Sequence, residues 1–411
     1  MRAEKTTYMG RESVCLENDT VRTVIETAGG MMPEFSIKLP ERAVNTHWIP
    51  VFREPSGRPY NADEDEGFWK AKLLYLLAGD FPCSPNFGDG CVVDGVELPP
   101  HGWAANNEWR LDQCGTTEAA GLAWARFTLP SPSAAMPLVW DKCDMLLNGH
   151  AAYYSVMRIR NTGSTPIAIN LTRHNTLGEP FLQPGCRISL CADRYLVGPK
   201  GTEFDNTGRL LQGAEFSDLC SVPLRAGGTV DVTEVPGMIG ATDFITGAVP
   251  AHLSLGWSCV VNPALGLAYV CFFPGEKALP EGEIALSFND LWLQYGGRRF
   301  TPWAASEGGE DRTFCLGTEN GTGAYANGLA YSRQHPELLG RPTTVTIPAG
   351  GERKLCYGTA IVRLSDELLR EGVRSIEAEA GNLILKGERS IQSVTLDATF
   401  ERVRECEATL P

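Results

Sequence analysis

An all-β fold, a large antiparallel sandwich built from short strands, is what the sequence predicts, and three observations predict it. Glycine (44) and proline (27) are abundant among the 411 residues, and both punctuate a chain with turns. Apolar–polar alternation of period two recurs in short stretches. Convincing helical periodicity occurs in one place only, near residues 365–381.

Taken in order, strands are predicted at 13–17, 21–26, 122–129, 257–261, 267–273, 283–288, 343–347 and 354–363. The run from Tyr153 to Arg160 ends at Asn161-Thr162-Gly163-Ser164-Thr165-Pro166 and resumes from Ile167 to Thr172, which reads as a β-hairpin. Near the C-terminus Ser365 is placed to cap a helix, with Asp366 and Glu367 in its first turn. The acidic run 61–66, Asn-Ala-Asp-Glu-Asp-Glu, lacks the glycine and spaced ligands of an EF-hand and reads as a solvated loop. No linker, composition break or fixed-period repeat divides the chain. Residues 1–411 are therefore expected to form one domain, with a core of about 13–363 and an appendage over 364–411.

Composition excludes several classes of function. Thirty-six basic residues stand against 50 acidic ones, a net charge of −14, so no basic stripe is available to neutralise phosphates and nucleic acid is not an expected partner. No segment approaches the ~18 continuous apolar residues of a membrane span, and no membrane partner is expected. The opening Met-Arg-Ala-Glu-Lys-Thr-Thr-Tyr lacks the apolar stretch of a signal peptide, which points to the cytoplasm. The 13 cysteines are odd in number, scattered, and form no CxxC pair. Several lie in apolar runs such as Val270-Cys271-Phe272, as reduced core thiols do.

Familiar catalytic signatures are missing: HExxH, GxxxxGK[ST], GxSxG and GxGxxG all fail to occur. The six histidines are too far apart in sequence for a local metal cluster, and neither a metal nor a cofactor is expected. Three stretches are too irregular for plain strands and too rich in polar and aromatic types for plain loops. The first runs Gly79-Asp80-Phe81-Pro82-Cys83-Ser84-Pro85-Asn86-Phe87-Gly88 and continues at Pro100-His101-Gly102-Trp103-Ala104-Ala105-Asn106-Asn107-Glu108-Trp109. The second is Asn170-Leu171-Thr172-Arg173-His174-Asn175, and the third Leu316-Gly317-Thr318-Glu319-Asn320.

These stretches, in this order, resemble segments of the aldose 1-epimerase (galactose mutarotase-like) family. His101 to Trp109 is similar to the His-Gly-Phe-Ala-x-x-x-x-Trp segment of aldose and hexose-phosphate epimerases. Asn170 to Asn175 resembles the stretch that delivers a catalytic histidine, and Leu316 to Asn320 the late strand that delivers a catalytic glutamate. The resemblance spans about residues 13–363 and implies a large antiparallel β-supersandwich that interconverts the anomers of a sugar. It implies Glu319 as base and His174 as acid, groups that exchange protons near neutral pH. It further implies that His101 hydrogen-bonds the sugar. Asn106 or Asn107 would then contact hydroxyls, Trp103 or Trp109 would offer an apolar wall, and Asp243 would bind the sugar.

Two departures shape the expected ligand. Where hexose-phosphate epimerases carry arginines, this chain has Ala78 and Ala105, and guanidinium recognition of phosphate is not readily replaced. A neutral, unphosphorylated aldose is the expected partner. Trp103 and Trp109 read equally well as packing residues, Glu179 as a surface residue, and the Arg298-Arg299 pair as solvated turn arginines. Two other functions stay open: a carbohydrate-binding protein without chemistry, or a lyase or hydrolase. The latter needs Glu179, Asp243 or Asp290 beside Glu319.

Overall fold

Long alternating strands need two apolar faces to meet, and in the computed structural model they meet between two eight-stranded antiparallel sheets. Residues 1–199 and 208–411 are described. The first sheet runs Arg187–Leu190, Leu255–Asn262, Leu267–Pro274, Glu352–Arg363, Ala152–Asn161, Leu138–Leu147, Leu122–Pro130, Arg110–Thr117. The second contains Arg194–Val197, Ala241–Ala248, Phe288–Tyr295, Phe314–Gly321, Thr172–His174 and Phe81–Cys83 in adjacent order. A continuous core that includes Trp140, Tyr153, Tyr269 and Tyr357 of the first sheet and Ile245, Leu291 and Leu316 of the second fills the space between. A five-stranded sheet of the first 45 residues packs its Val14, Leu16, Val21 and Phe35 into the same core.

The appendage covers the outer face of the first sheet. Helix Asp366–Glu371, the three-stranded sheet from Ser375 to Val394, and helix Glu401–Thr409 bury Leu383, Leu385, Phe400 and Val403 against Trp124, Tyr154, Trp257 and Phe272. Ser365 caps the first helix as expected, its hydroxyl accepting the Leu368 N–H at 3.3 Å. The helix stops well short of residue 381, however. Gly372 takes φ 80°, a value glycine reaches without strain, and the chain continues as the Ser375–Glu379 strand.

Three other expectations are corrected. The predicted hairpin does not form, although both strands exist: Ala152–Asn161 pairs with Leu138–Leu147 and Glu352–Arg363, and Ile167–Ile169 pairs with Val345–Ile347. The Asn161 side chain donates to Thr165 O at 2.7 Å and Ile347 O at 3.3 Å, which turns the chain out of the sheet. A strand at 283–288 is displaced, since the ladder begins at Phe288 and runs to Tyr295. The acidic run 61–66 is the start of helix Ala62–Trp69 rather than a loop; Asn61 caps it, and Asp63, Glu64 and Asp65 occupy the first turn, where carboxylates favour the helix dipole. None of the 13 cysteines forms a disulfide, and nine of them are buried. Among the described residues no helix is long and apolar enough to cross a membrane.

Candidate active site

The register of the second sheet brings His174 and Glu319 together. Thr172 pairs with Gly321 and Arg173 with Asn320, so the next step sets His174 beside Glu319, Nε2 to Oε1 at 3.1 Å. Because side chains alternate between faces, Arg173 and Asn320 turn the other way, into the space between the sheets. There Arg173 pairs with Asp80, and Asn320 Oδ1 accepts the Tyr357 hydroxyl at 2.8 Å. Asn175 donates its amide to the same Tyr357 hydroxyl at 2.7 Å. The residues that follow His174 and Glu319 are thus both tied to one tyrosine of the opposite sheet.

The His174 ring stacks on Phe81 at 4.5 Å and 18°, with the Trp292 ring edge-on at 5.8 Å. Its Nδ1 lies 3.0 Å from the Thr176 hydroxyl. Burial, reinforced by the neighbouring His101, pushes the imidazole well below its usual range. The resting ring is therefore neutral, with Nε2–H donating to Glu319 and Nδ1 accepting from Thr176. Glu319 itself is 1 % exposed.

His101 stands across the cleft, its ring perpendicular to that of His174 at 5.2 Å. It caps the short helix Gly102–Asn106 in a left-handed conformation, φ 58°. The following glycine, φ 75°, has no space for a side chain, because a Cβ there would stand 2.4 Å from Ser84 O. Gly88 N–H reaches His101 Nδ1 at 3.4 Å, which leaves Nε2–H for a ligand. Burial pushes this imidazole down to about 4.

His101, His174 and Glu319 line one cleft of about 590 Å³, its open mouth included. Phe244, Trp292 and Trp303 give it an aromatic wall, and Leu73, Leu74 and Leu77 an apolar ridge. Such a predominantly apolar cleft with a few convergent polar groups is the usual form of a small-molecule site. Arg298 also lines it, contrary to the expectation of a solvated turn. It is 2 % exposed, with its guanidinium 4.3 Å over the Trp303 ring.

The other expected ligand contacts lie outside the cleft lining. Asn106 donates to Pro100 O and Gly102 O, both at 2.7 Å, and so braces the loop that carries His101. Trp109, 1 % exposed, donates Nε1–H to Ala104 O at 2.8 Å. Trp103 packs edge-on against Trp140 in the core. Asp243 accepts from Leu210 N–H at 3.0 Å and faces away from the cleft, while Phe244, one position on, faces into it. Glu179 is exposed. Asp290 is the exception among the candidate second carboxylates, because it pairs directly with Glu319 across the ladder. Among the described residues no group of three His, Cys, Asp or Glu could hold a metal ion.

No family model and no curated protein matches the chain. Solved structures do. A "putative aldose 1-epimerase" from Klebsiella pneumoniae superposes with a TM-score of 0.61 at 14% identity, over 88% of this chain and 82% of that one. A galactose mutarotase-like protein from Clostridium acetobutylicum gives 0.57 at 10% identity, over 89% and 99%. A second protein described like the first, from Escherichia coli K12, gives 0.53 at 15% identity, over 88% and 100%. At such identities the likeness is one of fold, and the chain has the galactose mutarotase-like β-supersandwich.

Proposed function

We propose that this chain is an aldose 1-epimerase that interconverts the anomers of a neutral free sugar in the cytoplasm, with residues 1–411 acting as one domain. The observation that carries the reading is the 3.1 Å contact of His174 Nε2 with Glu319 Oε1 inside a cleft that His101 also lines. With sugar bound, His174 takes up a proton from solvent; Glu319 then removes the proton of the anomeric hydroxyl while the His174 imidazolium gives its proton to the ring oxygen. The C1–O5 bond breaks and the C1 carbonyl forms. Rotation about C1–C2 turns the other carbonyl face to O5, and the two proton transfers reverse. The Glu319 carboxylate stabilises the imidazolium against the burial that keeps the resting ring neutral. His101 donates Nε2–H to a sugar oxygen near the reacting end, and the aromatic wall receives an apolar sugar face. Alanine at positions 78 and 105, both fully buried, leaves no guanidinium for a phosphate there.

Polarimetry tests this directly. The protein should speed the optical-rotation decay of freshly dissolved α-galactose or α-glucose, and Glu319→Gln and His174→Ala should each abolish the effect. Saturable sugar binding without any acceleration across a panel of aldoses would instead identify a carbohydrate-binding protein on the same fold.

A further inference from the structure

Asp290 is a second carboxyl beside the site, and the proton transfers above give it no task. It stands in the middle of the Phe288–Tyr295 strand, opposite Glu319 in one ladder and opposite Thr246 in the other. Directly opposed residues of antiparallel strands share a face, with Cβ atoms about 5 Å apart. A single row therefore crosses the cleft face of the sheet: Thr246, Asp290, Glu319, His174. Asp290 is 1 % exposed, and its Oδ1 has no hydrogen-bond partner among the described residues. It is not among the residues that line the cleft.

The charged and titratable groups around it are few. Phe314–Gly321 presents Glu319, with His174 beyond it, and Ala241–Ala248 presents only the Thr246 hydroxyl. At the far end of the row Leu196, opposite Thr246, belongs to a small apolar cluster with Ala324 and Tyr325. The Arg173 guanidinium lies on the opposite face, committed to Asp80. An ionised Asp290 would thus be a desolvated anion next to another carboxylate. On this face the described residues also place the Arg298 guanidinium, which lies over the Trp292 and Trp303 rings and is not among the causes of the Asp290 shift.

We propose that Asp290 is a positioning residue that acts through Glu319, holding a proton below neutral pH so that there the row carries its negative charge on Glu319 alone. The inference rests on the reading of Glu319 as the base. Burial pushes the Asp290 carboxyl up to about 7, against the opposing pull of the Thr246 hydroxyl. Below that value Glu319 has a neutral neighbour. Above it, like-charge repulsion raises the proton affinity of Glu319, and the two carboxyls titrate as a pair.

Two measurements test this, one of them independent of turnover. In infrared spectra of the whole protein, the C=O stretch of a protonated carboxylic acid should be present at pH 6 and fade with a midpoint near neutrality. The band should be missing in Asp290→Asn, and in Glu319→Gln its midpoint should fall by at least half a pH unit. By polarimetry, the ratio of Asp290→Asn to wild-type rates should change at least threefold between pH 6 and pH 8.5. A band absent at pH 6, or a rate ratio constant with pH, overturns the proposal. If no aldose is turned over, the proposed function fails and the infrared titration alone decides whether Asp290 holds the proton. Should Asp290→Asn not fold, the band shift in Glu319→Gln takes its place.

Discussion

The carboxylate of Glu319 rests in the space that a side chain at Gly317 would fill. A Cβ on Gly317 would stand 2.7 Å from Glu319 Oε1 and 2.9 Å from Trp292 Cβ. The glycine is in an ordinary strand conformation, so its role is room rather than backbone freedom. Gly317→Ala should push the carboxylate off His174 Nε2, since the indole on the other side is packed against Trp48 and Trp303. A displacement of about 1 Å in a reacting group costs on the order of 100-fold in rate. Polarimetry should show kcat reduced at least tenfold with sugar affinity little changed; an unaltered kcat would show that Glu319 is not held by this contact.

How much of this was legible in the sequence depends on what each residue does locally. His101, His174 and Glu319 stood out because they lie in three irregular, polar- and aromatic-rich stretches that resemble epimerase segments, and the fold then gathers all three into one cleft. Phe244, Trp292 and Trp303 carry no such signal. They alternate or sit in loops like any packing aromatic, and only the pairing of Phe244 with Trp292 across two strands makes them a wall. Asp243 missed the cleft by one position, the distance that reverses a strand's face. Strand positions were visible from alternation, but partners were not: two good strands around residues 161–166 join different neighbours. The sign of Arg298 was readable, its burial over Trp303 was not.

Tyr357 ties the two catalytic strands to the opposite sheet. Its hydroxyl accepts from Asn175 and donates to Asn320, the residues following His174 and Glu319. Tyr357→Phe would leave a buried amide N–H and a buried carbonyl oxygen without this partner, a loss of about 1–3 kcal/mol. Urea unfolding should detect that loss, and kcat should fall several-fold because both strand segments gain freedom. Equal stability of variant and wild type would mean that other groups satisfy the two asparagines.

The C-terminal appendage should be required for the fold. Phe400 is fully buried, 5.3 Å from Phe272 and 6.1 Å from Tyr154 of the first sheet. Phe400→Ala removes that contact and leaves a cavity, at a cost of about 3–5 kcal/mol. The expected result is a lower urea midpoint with a single unfolding transition. Two transitions, one of them unaffected, would show that the appendage unfolds apart from the sheets.

His47 should make the protein acid-sensitive. It is fully buried, its Nδ1–H donates to Met32 O at 2.6 Å, and Nε2 lies 3.0 Å from the Tyr269 hydroxyl. Burial pushes its imidazole from 6.5 down to about 4. Between those values the unfolded chain binds a proton that the folded chain refuses, so stability falls as pH falls through this window and levels off near pH 4. The loss attributable to this one group is roughly 3 kcal/mol at 1.36 kcal/mol per pH unit. In His47→Gln that contribution is gone, and the stability gap between wild type and variant should narrow steadily from pH 7 to pH 4. A gap that stays constant across the range would show that His47 is protonated equally in both states.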